Sequence, residues 1–296
     1  MFEAPSALSS RISSELPSVP SESPLIGPVD AHVHLFPEFS DFAQRRTVSF
    51  LNAVSESDWE AVCRAVQCLE RNAEALGRNF EQNAELRSGD FKPNAELQVV
   101  PFLGIHPWAV LSAEAGWEER LEALLRRMPI AGVGEIGLDA WKPELQSDAA
   151  VCRQKTFFQR QLALAVELDR PVSIHCVRAW DHLWELARPI LAGKPIPLLF
   201  HAFSGSPQIV SQILQKEKWN AFFSIASFRF HPDRPKSREL LHAIPRERLL
   251  LETDAESAED ALSLETLCRN AAECLRIPES ELSDQILKNV RLFFGR

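Results

Sequence analysis

The chain has 296 residues, long for an ordinary single domain yet the size at which an α/β barrel closes as one unit. With 45% hydrophobic and 25% charged residues it has the composition of a globular protein, which excludes a fibre or a wholly disordered chain. A formal net charge of -9 excludes a global basic field, so any polyanionic substrate must be held locally, by metal ions or by a few Lys and Arg side chains.

Residues 1–27 are rich in Ser and Pro and lack the continuous apolar core of a secretory signal, so they read as a flexible extension ahead of one domain over 28–296. No run approaches the roughly 18 apolar residues of a membrane helix, and the expectation is a cytoplasmic protein with no membrane contact and no obligatory protein partner. The six cysteines show no CxxC spacing and are expected to be reduced, buried, small apolar residues.

From there, short apolar runs alternate with longer helical patterns, the signature of repeated βα units and a parallel sheet. Eight runs are expected as strands, at 28–34, 47–53, 97–103, 130–135, 171–176, 197–203, 221–226 and 249–253. Several are apolar on both faces, as strands between a barrel interior and its outer helices must be. Ser57, Asp58 and Glu60 open a first helix, and others are predicted at 118–128, 146–168, 181–191, 207–215, 239–243, 259–275 and 279–293. The stretch 70–96 is long for a connection and is expected to extend a helix and add a polar loop. The fold class that follows is α/β, a (β/α)8 TIM barrel.

Asp30, His32 and His34 alternate along the end of the first run, so their side chains share one face. Two imidazoles aimed at one point suit a divalent transition metal, although His-x-His alone is a weak signal. It gains weight because Glu135, His175, His201 and Asp254 end the fourth, fifth, sixth and eighth runs, and His106 follows the third. A parallel barrel brings all those carboxyl ends to one face, where buried ionisable groups are costly without a compensating partner such as a metal.

The motifs DAHVH at 30–34, GIHPW at 104–108, GEIGLD at 134–139, SIHC, HAFSGS and LLETDA closely resemble those of the TatD family of metal-dependent hydrolases, in the family's order. The resemblance implies a (β/α)8 barrel holding two divalent ions, Mg, Mn or Zn, bridged by the carboxylate that aligns with Glu135. It further implies that His32, His34 and Asp254 complete one ion's shell, that His175 and His201 complete the other's, and that His106 lies near the substrate phosphate. The implied activity is a 3'-5' exodeoxyribonuclease that hydrolyses phosphodiester bonds of DNA, or RNA, through a metal-activated water. Glu135, His106 and Asp254 are the catalytic candidates, with Asp254 as general base.

Other readings stay open: a barrel metallohydrolase acting on a small amide, ester or phosphoester, and a non-catalytic metal-binding scaffold. Asp30 and Asp139 are expected to orient ligand imidazoles or to cap turns, and Ser204 and Gly205 to hold a phosphate or cap a helix. Arg178 and the loop 228–238, which interleaves cations with aromatics, are candidate substrate contacts, while His182 and His242 read as surface or packing residues. Trp59, Trp117, Trp141, Trp180, Trp184 and Trp219 are expected to anchor the core and its helices. Two departures from the family stand out. Ala140-Trp141 replaces the usual Tyr, and the acidic segment beginning at Glu256 replaces a Pro-containing loop and would repel a phosphate backbone.

Overall fold

The computed structural model describes residues 29–44, 46–75 and 98–294, so the expected extension at 1–27 and the polar loop within 70–96 lie largely outside the described residues. Eight parallel strands form one sheet in the order β1 to β8. They are β1 (Val29–His34), β2 (Val48–Asn52), β3 (Gln98–Leu103), β4 (Gly132–Asp139), β5 (Val172–Val177), β6 (Leu198–Phe200), β7 (Ala221–Ala226) and β8 (Leu249–Glu252). All eight expected runs are strands. The ladder is parallel throughout, with Val48 opposite Gln98 at one junction and Ala226 opposite Glu252 at another.

The seam between β8 and β1 closes the barrel. Asp254 N–H donates to His32 O at 2.9 Å, His34 N–H donates to Ala255 O at 2.9 Å, and Val33 bridges Ala255 in parallel. These bonds fall at the carboxyl ends of both strands, so the residues that close the barrel also carry three of the candidate ligands.

The helices are α1 (Phe39–Ala43), α2 (Glu56–Ala75), α3 (Trp117–Arg127), α4 (Asp148–Glu167), α5 (Trp180–Leu191), α6 (Pro207–Ser211), α7 (Pro235–Ala243), α8 (Ala258–Ala261), α9 (Ser263–Leu275) and α10 (Glu279–Phe293). The helix α1 has no counterpart among the expected ones, and three expected helices take a different course. The helix expected over 207–215 continues from α6 as a π-helical stretch over Gln212–Glu217, α7 starts four residues early on Pro235, which suits the first helical turn, and the helix expected over 259–275 breaks at Leu262 into α8 and α9.

The long α4 does most to position the functional face. Ser147 Oγ accepts the Ala150 amide and caps it, and Phe157, Phe158 and Leu162 bury its inner side. Two buried glutamines seven residues apart share that side. Gln154 Oε1 accepts Asp139 N–H at 2.8 Å, while Gln161 takes Ile105 N–H at 2.7 Å and donates to Ile105 O at 3.1 Å. One helix therefore fixes both the end of β4 and the turn that carries His106. At the end of α10, Phe293 packs on Phe50, Phe102 and Phe222, filling the interior between β2, β3 and β7.

Two expectations about buried residues are corrected. Cys63, Cys176 and Cys268 are buried free thiols, but Cys68 and Cys152 are exposed and Cys274 is half-buried, because their helical positions face outward. Trp59, Trp117, Trp184 and Trp219 are buried anchors, whereas Trp141 is exposed on the turn after β4.

Candidate metal centre

His32, His34, His106, Glu135, His175, His201 and Asp254 gather at the carboxyl face, by routes that differ. His32 and His34 end β1, His175 lies in β5, and His201 follows the short β6. Glu135 is not at a strand end. β4 continues to Asp139, with Gly137 opposite His175, and the register shifts between Val133 and Ile136. That irregularity turns Glu135 N–H to Ala53 O at 3.2 Å and swings its side chain into the barrel mouth. Small residues make the close approach possible. A Cβ on Gly134 would lie 2.7 Å from Ser173 Cβ, and one on Gly137 would collide with the His175 carbonyl.

Glu135 is the centre of the cluster. Its Oε2 lies 3.2 Å from His32 Nε2 and 3.7 Å from His34 Nε2. Its Oε1 lies 2.9 Å from His175 Nδ1, 2.5 Å from His201 Nε2 and 3.2 Å from His106 Nε2. Oε2 thus faces His32 and His34 while Oε1 faces His175, His201 and His106. The two sets adjoin, since the His32 and His201 rings stack with centroids 4.0 Å apart and His32, His201 and Asp254 also lie close enough together to form a ligand set. Asp254 Oδ1 completes the first set, 3.3 Å from His34 Nε2 and 3.7 Å from His32 Nε2.

These residues fit a metal ion. An ion with bonds of about 2.1 Å holds tetrahedral ligand atoms roughly 3.4 Å apart. Around His32, His34, Glu135 and Asp254, five donor separations fall between 3.2 and 3.7 Å, including 3.3 Å between the two imidazole Nε2 atoms. In the second group His175 Nδ1 and His201 Nε2 are 3.1 Å apart on the same carboxylate oxygen.

The far nitrogens of two imidazoles are hydrogen-bonded, His34 Nδ1 to Asn52 O at 3.1 Å and His32 Nδ1 to Ser173 Oγ at 3.2 Å. Those of His175 and His201 make no hydrogen bond among the described residues, but carboxylate oxygens stand behind them, Asp139 Oδ2 at 3.4 Å and Glu252 Oε1 at 3.6 Å. An oxygen behind the ring favours a proton on that side and turns the other nitrogen's lone pair toward Glu135, the usual arrangement of metal-binding histidines.

His106 is built the other way round. Its Nδ1 accepts Trp108 N–H at 3.1 Å, so the neutral ring carries its proton on Nε2 and donates it to Glu135 Oε1. Burial lowers its pKa to about 4, which keeps the ring neutral. The geometry makes His106 a donor to the central carboxylate, although His106, Glu135 and His175 also lie close enough together to form a ligand set.

Electrostatically the cluster demands positive charge. Burial opposes ionisation of Glu135, yet His201, His106 and His32 hold its carboxyl well below the usual range. Burial likewise works against charge on His34, but Asp254 and Glu135 outweigh it and raise the imidazole to about 9.

Asp254 has a left-handed backbone, φ 57°, which an Asp tolerates better than most residues. The more unusual case is Ala202, φ 38°, which turns the chain just after His201. Its amide is held by buried Glu252 Oε1 at 2.5 Å. Asp139 supports His175 and also accepts Trp108 Nε1–H at 2.8 Å and Trp141 N–H at 2.7 Å. Of the two roles expected for it, Asp30 does not take the first, since no imidazole is among its hydrogen-bond partners. It accepts Thr253 N–H at 2.9 Å and lies 2.7 Å from Thr253 Oγ1, pinning the segment before Asp254.

Sequence reasoning missed Ser173, Glu252 and the indole of Trp108. Ser173 had a readable signal, since it stands two residues before His175 on one strand and so shares its face. Ser204 and Gly205 line a cavity beside the cluster, and the cap position of α6 is Ser206. Of the loop 228–238, only Phe228 and Arg229 line that cavity, together with Arg178. His182 lies 3.5 Å from Glu185 on the outer surface, and His242 is exposed.

A closed parallel barrel with an imidazole–carboxylate cluster at its carboxyl mouth defines the class as a (β/α)8 barrel with buried groups able to hold a metal ion. Residues 29–295 match the TatD related DNase family, and the chain belongs to that family. It is 37% identical over 153 residues to the 3'-5' ssDNA/RNA exonuclease TatD of Klebsiella pneumoniae, a match covering 51% of this chain and 55% of that one. It is 31% identical over 152 residues to the human 3'-5' RNA nuclease TATDN2, covering 51% of this chain and 19% of that protein. These matches span about half the length of the bacterial relatives. The fold is similar to that of YJJV, a TatD homologue of Escherichia coli, with TM-score 0.66 and 23% identity over 92% of this chain and 99% of the other. Among the described residues no helix is long and apolar enough to cross a membrane.

Proposed function

We propose that the chain is a divalent-metal-dependent 3'-5' exonuclease acting on single-stranded DNA or RNA. One observation carries the reading, the division of Glu135 between two imidazole groups, which suits a carboxylate bridging two ions. His32, His34 and Asp254 would hold one ion, and His175 and His201 the other. Mg, Mn and Zn all suit these donors.

When bound, such ions supply Lewis acidity toward a phosphoryl oxygen and a water acidic enough to attack phosphorus at neutral pH. The chain's own residues orient and exchange protons. Burial resists charge on Asp254, but His34, His32 and His201 keep it ionised, and its partly exposed side chain is placed to accept the attacking water's proton. His106 donates to Glu135 and holds that carboxylate in one orientation, while Asp139 and Glu252 stand behind His175 and His201.

The test combines elemental analysis with digestion of 5'-labelled single strands by wild type and Glu135→Ala. Wild type is expected to carry metal and to shorten strands from the 3' end, and the variant to lose both properties. Labelled strands left intact with Mg, Mn or Zn would overturn the nuclease reading, and metal content equal in the two proteins would overturn the bridge.

A further inference from the structure

A cavity of about 710 Å³ opens beside the cluster and shares His175, His201 and Asp254 with it. Its walls are unusual for this molecule. Seven large hydrophobic side chains are exposed among the described residues, and the three aromatic ones, Trp108, Trp141 and Phe228, all line this cavity. Scattered exposed apolar residues carry no meaning, but aromatics gathered at one concavity mark a binding surface.

The rings are presented rather than loose. Asp139 holds the Trp108 indole at 2.8 Å and the backbone of the turn bearing Trp141 at 2.7 Å, and the same carboxylate lies 3.4 Å from His175. The wall is therefore fixed to a candidate ligand.

Cations are interleaved with the rings. Lys142 Nζ lies 3.8 Å from the Trp108 ring centroid, the Arg229 guanidinium lies 5.1 Å from that of Phe228, and Arg178 lines the cavity. None of the three has a carboxylate ion-pair partner among the described residues, in a chain whose net charge is -9. The acidic Glu256 lines a separate small pocket on the cluster. Flat π-faces with unpaired cations match the two halves of a nucleotide, its base and its phosphate.

We propose that this cavity is a nucleobase subsite, in which an unpaired terminal base stacks on Trp108, Trp141 and Phe228 while Lys142, Arg178 and Arg229 meet the adjoining phosphates. The inference rests on the nuclease reading and deepens it. A terminal base that is still paired is tied by its edge to the complement and has one face covered by its neighbour, so the subsite favours frayed or single-stranded ends.

Direct binding tests it without turnover. Metal-stripped protein is titrated, by fluorescence anisotropy, against two 5'-labelled single strands that differ only in a 3'-terminal adenosine or an abasic tetrahydrofuran unit. Stacking of one base corresponds to about tenfold tighter binding of the adenosine-ended strand. Trp141→Ala and Phe228→Ala, both at exposed positions, should each shrink that preference severalfold, and Trp141→Phe should keep most of it. Equal binding of the two strands by wild type, no binding of either, or an undiminished preference in Trp141→Ala would overturn the subsite. If wild type with Mn²⁺ digests both strands yet shows no preference in binding, the subsite fails and the nuclease reading stands. A clear binding preference without digestion keeps the base-binding cavity and overturns the nuclease reading.

Discussion

Asp30 on β1 grips Thr253 after β8 with both carboxylate oxygens, at 2.9 Å to the amide and 2.7 Å to the hydroxyl. This pair fastens the seam of the barrel beneath His32, His34 and Asp254. Burial raises the Asp30 pKa from 3.8 to about 7, against the pull of the Thr253 bonds and of Arg46. A carboxyl group whose pKa is raised on folding binds more protons in the folded state. Its contribution to stability is full below about pH 4 and is lost as pH rises to about 7. Metal-free wild type should lose melting temperature relative to Asp30→Asn across that window, and parallel melting curves from pH 4 to 7 would contradict the assignment.

Because His34 is raised to about 9 without metal, part of the protein population must shed its proton before His34 can act as a ligand. Adding Zn²⁺ or Mn²⁺ to metal-free protein in weak buffer at pH 8 should release protons, and metal affinity should climb as pH approaches 9. His34→Gln should release fewer protons per metal bound. Calorimetry in two buffers of different ionisation enthalpy gives the count.

His106 accepts from Trp108 and donates to Glu135, which makes it a positioning residue for the carboxylate rather than a metal ligand. His106→Ala should keep the wild-type metal content while kcat falls on the order of a hundredfold, the scale of losing an oriented hydrogen bond to a catalytic group. His201→Ala should lose metal. Loss of metal from His106→Ala measured by elemental analysis would place it among the ligands instead.

Glu252 holds the amide of Ala202, whose left-handed backbone carries the turn after His201. Removing the acceptor leaves a buried N–H unpaired, at about 1–3 kcal/mol. Glu252→Ala should melt several degrees lower and bind metal more weakly, while Glu252→Gln, which keeps an acceptor oxygen, should recover most of the stability. Calorimetric melting of both variants without metal isolates the structural part.

Glu256 lines the small pocket over Glu135 and Asp254, and its negative charge there opposes entry of the phosphate that the nuclease reading brings to the cluster. Glu256→Gln should lower KM for oligonucleotides severalfold at low ionic strength, with the advantage shrinking above roughly 0.2 M salt as screening shortens its reach. Unchanged KM at both salt levels would show that substrate passes elsewhere.

Much of this was legible in the sequence. The eight strands, the barrel and the convergence of His32, His34, His106, Glu135, His175, His201 and Asp254 follow from strand-length apolar runs with ionisable residues at or near their carboxyl ends. A parallel barrel sends all those ends to one face whatever the details of packing. The details were set elsewhere. Glu135 enters from within β4 through a shift of register, Asp30 serves Thr253 rather than an imidazole, and Trp141 stands in the cavity rather than the core. Which nitrogen of His34 and His32 faces Glu135 depends on Asn52 and Ser173, and the opposite arrangement of His106 depends on the amide of Trp108. The donor set and the face on which it gathers are readable from the chain alone, since strand periodicity and strand ends are local properties. The ring orientations, the division of Glu135 between its neighbours and the aromatic wall come only with the folded barrel, because each depends on the register of strands and turns that are far apart in sequence.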